Sequence, residues 1–367
     1  MSATDSPKKV LVAMSGGVDS SVAAALLQEQ GYQVVGATFK LFGGSQADGR
    51  NVGSRTCCSL DDVIDARRVA QRLGFEHYVF NFSARFQQDV IRRFAASYAR
   101  GETPNPCIDC NRFVKFNQLL ERAKMLEIDH IATGHYARVE FDSRTGRYQL
   151  KKAVDPHKDQ SYVLYALSQP ELASLIFPLG GLIKSDVRRL AAERGLVNAR
   201  KPDSQDICFV PDGDYAGFLT HTLNVRSAPG RFIDRNGTVL GTHRGLIHYT
   251  IGQRKGLKLS FDRPKYVIGK DPAANTVILG DEAELYADGA LVGDLNWIAL
   301  DRLEQPMDVT VKIRYTQTDV PARIRPDKEG RVRIQFNQPQ RAVTPGQAAV
   351  FYQNDVVIGG GTILAES

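Results

Sequence analysis

The stretch KVLVAMSGGVDSSVAAALLQEQGYQVVGATF, residues 9–39, leaves little choice of architecture. A short apolar run closed by two glycines reads as a buried parallel strand. Val18 to Gln30 is made of good helix formers, with Asp19, Ser20 and Ser21 at its start and Gly31 as its stop. A second strand, YQVVGATF, follows at once, and strand, helix, strand in this order implies a right-handed crossover in a parallel sheet. The pattern then repeats. Ser59 is expected to cap a helix with Asp61 and Asp62 in its first turn, HYVFNF reads as a strand, and IDHIATGH as a strand running into a loop. The first part of the chain is therefore expected to be α/β, a doubly wound parallel sheet.

Past Asp212 the pattern changes to short strands broken by PG, NG and DG signals, as in APGRFIDRNGTVLG. Beyond Gly289, VTVKIRY, ARIRP, RVRIQF, AAVFY and VVIGGGTIL read as strands of a small antiparallel β-barrel. Three domains are expected: residues 1–212, 213–288 and 289–367, the middle one small and mixed. The five cysteines are an odd number, and no charged-then-apolar leader follows Met1, so secretory disulfides are not expected. No apolar run approaches the roughly 18 residues of a membrane helix. A cytoplasmic chain without a membrane partner is expected. Lys plus Arg exceed Asp plus Glu by 47 to 41, which favours a polyanionic partner without deciding for one.

Between the first strand and its helix, Ser15-Gly16-Gly17-Val18-Asp19-Ser20-Ser21 can close its backbone N–H groups around an anion at the positive end of the helix. No Gly-Lys-Ser/Thr follows, so this is not a Walker A loop and no lysine is expected to reach a γ-phosphate; nor is it a dinucleotide turn. Its order resembles the pyrophosphate loop of ATP pyrophosphatases, which cleave ATP between the α and β phosphates and adenylate a substrate oxygen. A nucleophile must then attack, and a thiol does so best where its thiolate is favoured. In TPNPCIDCNRFVKF, residues 103–116, Cys110 is expected just before the first turn of a helix running to Glu127, near Arg112 and Lys115, with Pro104 and Pro106 holding an extended loop ahead of it. Cys208, in KPDSQDICFV, is expected on a polar loop able to fold back over the site.

Ser15 to Ser21, TPNPxxxCN at 103–111, ATGHYAR at 132–138, KDQSYVL at 158–164 and SQDICF at 204–209 occur together and in order. This set resembles the tRNA-specific 2-thiouridylases, the MnmA family, over nearly the whole chain. The resemblance implies that O2 of the wobble uridine of tRNA, position 34, is adenylated and replaced by sulfur. It makes Cys208 the cysteine that receives a persulfide from a cysteine desulfurase or sulfur-relay protein. It makes Cys110 the partner that releases the sulfur through a transient disulfide. It places Ala13, Met14, Ser15, Gly16, Gly17, Val18, Asp19, Ser20, Phe39 and Gly134 at ATP, with Mg2+ expected beside the phosphates. Asn105, Pro106 and Cys107 would meet the target base, and His135, Lys158, Asp159, Gln160, Arg314, Tyr315 and Gln347 the tRNA. Residue by residue, plainer roles stand beside these: KDQ as a helix cap, Arg314-Tyr315 as an exposed strand pair, His135 as a satisfied loop histidine. The chain is expected to act as a monomer.

Cys107 departs from the family, many of whose members carry aspartate there. With Cys110 and Cys208 it makes three sulfurs that could hold a 4Fe-4S cluster with one iron open, an alternative carrier of sulfur. Cys57 and Cys58 are read as structural or incidental. A pyrophosphate-loop synthetase that transfers nitrogen, and a non-enzymatic RNA-binding module with a structural metal site, are the competing readings. The first lacks a recognisable glutaminase domain or ammonia-handling motif and leaves three poised cysteines without a task; ATP-to-AMP turnover with tRNA separates the second from thiolation.

Overall fold

The computed structural model describes residues 7–41, 60–203, 207–210, 213–225 and 227–365. Cys57, Cys58, Ser59, Ser204 to Asp206 and Asp212 lie outside the described residues. The chain divides into two compact units. One comprises residues 1–90, 107–213 and 355–357, the other residues 91–106, 214–354 and 358–367.

The first unit is built on the parallel sheet expected from the sequence. Strand β1 (Lys9–Ala13) leads into helix α1 (Val18–Glu29), followed by β2 (Gln33–Lys40), helix α2 (Leu60–Leu73) and β3 (His77–Asn81). After the cysteine-bearing helix come β4 (His130–Thr133), the hairpin β5 (Arg138–Asp142) and β6 (Arg147–Lys151), and the short β7 (Leu175–Ile176). The hairpin carries no signal that the sequence reading picked up. Strand order is β3-β2-β1-β4-β7, with β1 parallel to β2 from Lys9 opposite Gln33 to Ala13 opposite Ala37, and parallel to β4 from Val10 opposite His130 to Ala13 opposite Thr133. The chain thus moves outward on one side of β1 and returns on the other. That reversal opens a crevice beyond the carboxyl ends of β1 and β4, where α/β sheets bind ligands.

The core of this unit joins Val10 and Val12 of β1 and Val22 and Leu27 of α1 to Val69 of α2 and Ala132 of β4. It also takes in Val187 and Ala191 of the helix Lys184–Glu193. Each fully buried valine or leucine stabilises the fold by roughly 1.5–3 kcal/mol. Val187 and Ala191, four residues apart, seat the last helix on α1; Lys184 and Arg188 have the same spacing beside that stripe.

In the second unit, β8 (Gly230–Ile233), β9 (Val239–His243), β10 (Tyr266–Asp271) and β11 (Thr276–Gly280) form a mixed sheet, order β10-β11-β8-β9, in which only β8 and β11 run parallel. The antiparallel barrel is β12 (Tyr286–Trp297), β13 (Met307–Lys312), β14 (Val320–Pro326), β15 (Val332–Arg341), β16 (Ala348–Gln353) and β17 (Val356–Ile363), the last of which belongs to this unit from Ile358 onward. Pairing of β12 with β17, from Val292 opposite Ile363 to Trp297 opposite Gly359, closes these six strands into a barrel. Strand β13 ends at Lys312, so Arg314 and Tyr315 sit in a turn and not in the strand pair suggested as their plain role.

Candidate active site

The phosphate loop is held open by contacts that only its own residues allow. Met14 N donates to Ala37 O at 2.7 Å and Thr38 Oγ1 to Met14 O at 2.8 Å, so β2 fixes the point where β1 ends. Gly16 has φ +70°, and a Cβ there would lie 2.3 Å from the main-chain oxygen of Asp62. No other residue fits. Gly17 caps α1 with φ −86° and ψ 165°, and Ser20 and Ser21 hydroxyls donate to its carbonyl at 3.2 and 3.0 Å. Asn198 Nδ2 donates to the carbonyls of Gly16 and Gly17 at 3.0 and 3.1 Å, tying down two oxygens of the loop. At Gly134, just past β4, a Cβ would fall 2.6 Å from Ser20 N, so the two loops meet at the switch point only because this residue has no side chain. Met14, Gly16, Val18 and Ser20 face inward, whereas Ala13, Ser15, Gly17 and Asp19 retain exposed surface; Phe39 is buried edge-on against Phe82 at 5.1 Å.

A charged network stands over this loop. Lys184 Nζ lies 2.7 and 2.8 Å from the two carboxylate oxygens of Asp19 and 2.8 Å from Asp203. Asp203 also takes Lys158 at 2.7 Å and Arg188 at 2.8 Å. Burial pushes the Asp203 carboxyl up, but hydrogen bonds from Lys158 and Lys184 outweigh it and lower its pKa. Tyr136 donates its hydroxyl to Asp19 at 2.9 Å, and burial, with the Asp19 charge beside it, raises that phenol far above its ordinary value and keeps it a neutral donor. Lys184 and Asn198 are single residues in unremarkable stretches, so nothing in the sequence marked them. Tyr136 lies inside the quoted GHYA stretch, but its role does not follow from it.

The cysteine helix corrects one expectation. It starts at Pro106, runs through Asp109, widens into a π-helical turn over Cys110–Lys115 and continues as Phe116–Met125. Cys110 is therefore a full turn inside the helix, buried, and Cys107 occupies the exposed first turn. Proline fits the first helical position, where its missing N–H is not needed, and its fixed φ starts a helix instead of extending the loop. The widened turn is a feature often found at functional sites. Asn111, next to Cys110, is anchored by its amide to Val163 O at 3.0 Å. Cys208 is half-buried beside Phe209, which packs edge-on against Phe86 at 5.8 Å. Among the described residues no three His, Cys, Asp or Glu side chains converge in a way that could hold a metal ion.

The residues expected to touch tRNA are engaged in different ways. His135 packs between Phe116 and Phe177, with Nδ1 2.6 Å from Thr133 Oγ1; burial, aided by Lys115, holds it well below the usual imidazole range. Asp159 is buried and accepts from Ala153 N, Ser161 N and Ser161 Oγ, and Gln160 Oε1 accepts from Tyr136 N at 2.9 Å. In the second unit, Arg314 donates to the carbonyls of Arg341 and Ala342, Tyr315 is exposed beneath Lys312 at 5.6 Å, and Gln347 donates to Thr103 O at 2.6 Å. Asn105 and Pro106 are counted with this unit, Cys107 with the first.

Three family models match in order: a tRNA methyl transferase HUP domain over residues 8–212, a tRNA methyl transferase PRC-barrel domain over 216–281, and an aminomethyltransferase beta-barrel domain over 287–363. A protein of Acetivibrio thermocellus named tRNA-specific 2-thiouridylase MnmA is 51% identical over 98% of this chain and 99% of its own. A protein of the same name from Heliobacterium modesticaldum is 51% identical over 97% of this chain and 92% of its own. Among solved structures, a 4-thiouridine synthetase–RNA complex with bound ATP aligns over 56% of this chain and 46% of that one at 18% identity and TM-score 0.39, too loosely to argue from.

Proposed function

From the premise that the chain belongs to the tRNA-specific 2-thiouridylase family, we propose that it is a tRNA sulfurtransferase that uses ATP to convert the wobble uridine, position 34, to 2-thiouridine. The observation that carries this reading is the phosphate loop, closed on Gly16 at the N-terminus of α1 and faced by Asp19. Ala13, Ser15, Gly17 and Asp19 would line the nucleotide, with Gly134 and Phe39 shaping the walls. The α1 N-terminus and the loop N–H groups would favour charge on the departing pyrophosphate. Mg2+ supplies charge neutralisation when it binds with the triphosphate. Asp19 is the loop carboxylate that would hold it together with phosphate oxygens, the donor set usual for this ion.

In the first step uridine O2 attacks the α-phosphorus, the bond to pyrophosphate breaks, and the N3 proton leaves. The terminal sulfur of a Cys208 persulfide then attacks C2, and AMP departs with the former O2. The Cys110 thiolate attacks the Cys208 sulfur of the resulting disulfide, leaving sulfur on C2 and closing a Cys110–Cys208 disulfide; N3 regains its proton as the thiocarbonyl forms. A dithiol reductant resets the pair, and a cysteine desulfurase or relay protein reloads Cys208. Burial of Cys110 supports its assignment as a resolving thiol shielded from side reactions. The exposed Cys107, with Asn105 and Pro106, would meet the flipped base, which must leave the anticodon stack to be attacked at O2.

Lys158 and Arg314 would grip RNA phosphate, Tyr315 would stack, Gln347 and Gln160 would offer amides, Asp159 would shape the Lys158 loop, and His135, held neutral, would donate a hydrogen bond without charge. We assign residues 1–212 to catalysis and residues 213–288 and 289–367 to tRNA contact in a single chain working in the cytoplasm; among the described residues no helix is long and apolar enough to cross a membrane.

The test is incubation with unmodified tRNA, ATP, Mg2+ and a sulfur donor, followed by nucleoside analysis. The expected products are 2-thiouridine, AMP and pyrophosphate, with Cys110→Ser and Cys208→Ser abolishing thiolation while pyrophosphate release, the sign of adenylation, persists. Absence of 2-thiouridine both in air and without oxygen overturns the reading. Full thiolation by iron-free protein supports the persulfide route; activity that needs about four irons per chain and vanishes in Cys107→Ser would replace it with the cluster.

A further inference from the structure

Gln347 is expected to touch tRNA, yet its amide is donated inside the protein, to Thr103 O at 2.6 Å. The N–H of the same residue, Thr103, donates to Pro345 O at 2.9 Å. Both main-chain polar groups of Thr103 are thus held by one corner of the barrel, Pro345-Gly346-Gln347, in the turn between β15 and β16. The corner is itself tied to the last strand: Gly346 N donates to Ile363 O at 2.9 Å and Ile363 N to Gln347 O at 2.8 Å. Gly346 has φ +89°, and a Cβ there would lie 2.8 Å from Glu102 Cβ and 2.9 Å from Thr103 N, so the close approach requires glycine. All of these residues belong to the second unit.

The segment is braced just upstream as well. Gly101 lies against Pro272, where a Cβ would come within 2.9 Å of the ring, and Arg100 forms a bidentate pair with Glu102 at 3.1 and 2.7 Å. Downstream come Pro104, Asn105 and Pro106, with no helix until Pro106 opens one. Proline fixes φ and restricts the residue before it, so Thr103, Pro104 and Asn105 have few dihedrals left free. A direction set at the Thr103 peptide is therefore carried to Asn105 and Pro106. A plain explanation is that the corner only seals the barrel against a neighbouring segment. Sealing is served by apolar burial, which has no direction; here hydrogen bonds, which do, converge on one residue, and it is the one that opens the TPNP stretch.

We infer that Gln347 is a positioning residue for the target base: with Gly346 it fixes Thr103 and, through the two prolines, sets where Asn105 and Pro106 stand when the flipped uridine arrives. This rests on the reading of those residues as the base-contacting segment of a tRNA thiolation enzyme. An amide has two hydrogens, and Thr103 O takes one, so a contact of Gln347 with RNA is compatible with this task.

Uridine O2 can attack the α-phosphorus only from a placed base, so pyrophosphate release at saturating tRNA reads the placement, and tRNA affinity is measured apart from it. The full chain is compared with Gln347→Met, which removes the donor, and Gly346→Ala, which keeps the amide and pushes on Thr103. Both are expected to lower the saturating rate about tenfold, a larger change than either makes in tRNA affinity, with ATP affinity altered less than about twofold. A loss confined to tRNA affinity in Gln347→Met would mean that the amide serves RNA alone, and a wild-type saturating rate in Gly346→Ala would mean that Thr103 need not be held. Either result overturns the inference and leaves the thiolation reading intact. Equal losses of rate and ATP affinity, the mark of general damage, overturn it too. Wild type that releases no pyrophosphate with tRNA removes both. Should Gln347→Met show no folding transition, Gln347→Asn, whose amide is one carbon too short for Thr103, is judged by the same comparison of rate with affinity.

Discussion

At the phosphate loop the charged groups bond to one another, Lys184 to Asp19 and Asp203, Lys158 and Arg188 to Asp203. In the turn after β13, Arg314 instead spends its guanidinium on the main-chain carbonyls of Arg341 and Ala342, the latter in the left-handed region at φ +53°. Two side chains can part to admit a ligand and repair the pair afterwards. A guanidinium satisfying carbonyls at a left-handed corner is part of how that corner is held. The difference teaches that position in a recognised motif is not enough to say whether a charge is available; its partner in the fold decides.

The largest effect should come from Asp19→Ala. AMP formation with tRNA is expected to fall by about a thousandfold with the folding transition in place, because the proposed site has this carboxylate beside the phosphates. Near-normal AMP formation would put the loop on the same footing as the barrel turn. Next comes Arg314→Ala, expected to cost about 2 kcal/mol of stability by denaturant titration, since two carbonyls lose a charged donor. If it also contacts phosphate, the slope of log affinity for tRNA against log salt falls by about one. A changed slope with unchanged stability would reverse the contrast drawn between the two regions.

A pH titration tests the loop side more gently. His77 Nε2 bonds Thr38 Oγ1, which holds the Met14 carbonyl, and burial, with Arg67 nearby, lowers its pKa to about 4. The folded state then binds fewer protons than the unfolded state between pH 6.5 and about 4. Stability from this group is full above pH 6.5 and drains away as the pH falls through that window, by on the order of 1 kcal/mol after allowing for partial exposure. His135 acts in the same sense, so His77→Gln should flatten the acid limb without removing it. An unchanged limb would detach His77 from the support of the loop. The smallest effect is expected from Tyr315→Ala: about 1 kcal/mol or less of stability, because the residue is 40% exposed and its ring meets Lys312, and a few-fold loss of tRNA affinity if a base stacks on it.

The sequence alone determined the parallel sheet, the loop and the barrel strands, because each is written in contiguous residues: an apolar run before SGG, helix formers after it, alternation past Gly289. It gave the paired glycines a use in closing N–H groups around an anion, but not the reason that Gly16 admits no side chain, which is Asp62, far along the chain. It misjudged the start of the cysteine helix, where Pro106 opens a turn that Pro104 and Pro106 together suggested would stay extended. It was silent on Lys184, Asn198 and the β5–β6 hairpin. Lys184 reaches Asp19 only because Val187 and Ala191 must bury against α1, and burial of an apolar stripe constrains its helix without naming its partner. Local backbone preference is a property of neighbours in sequence, whereas the partner of a charge is a property of neighbours in space, so the first could be read and the second had to be folded.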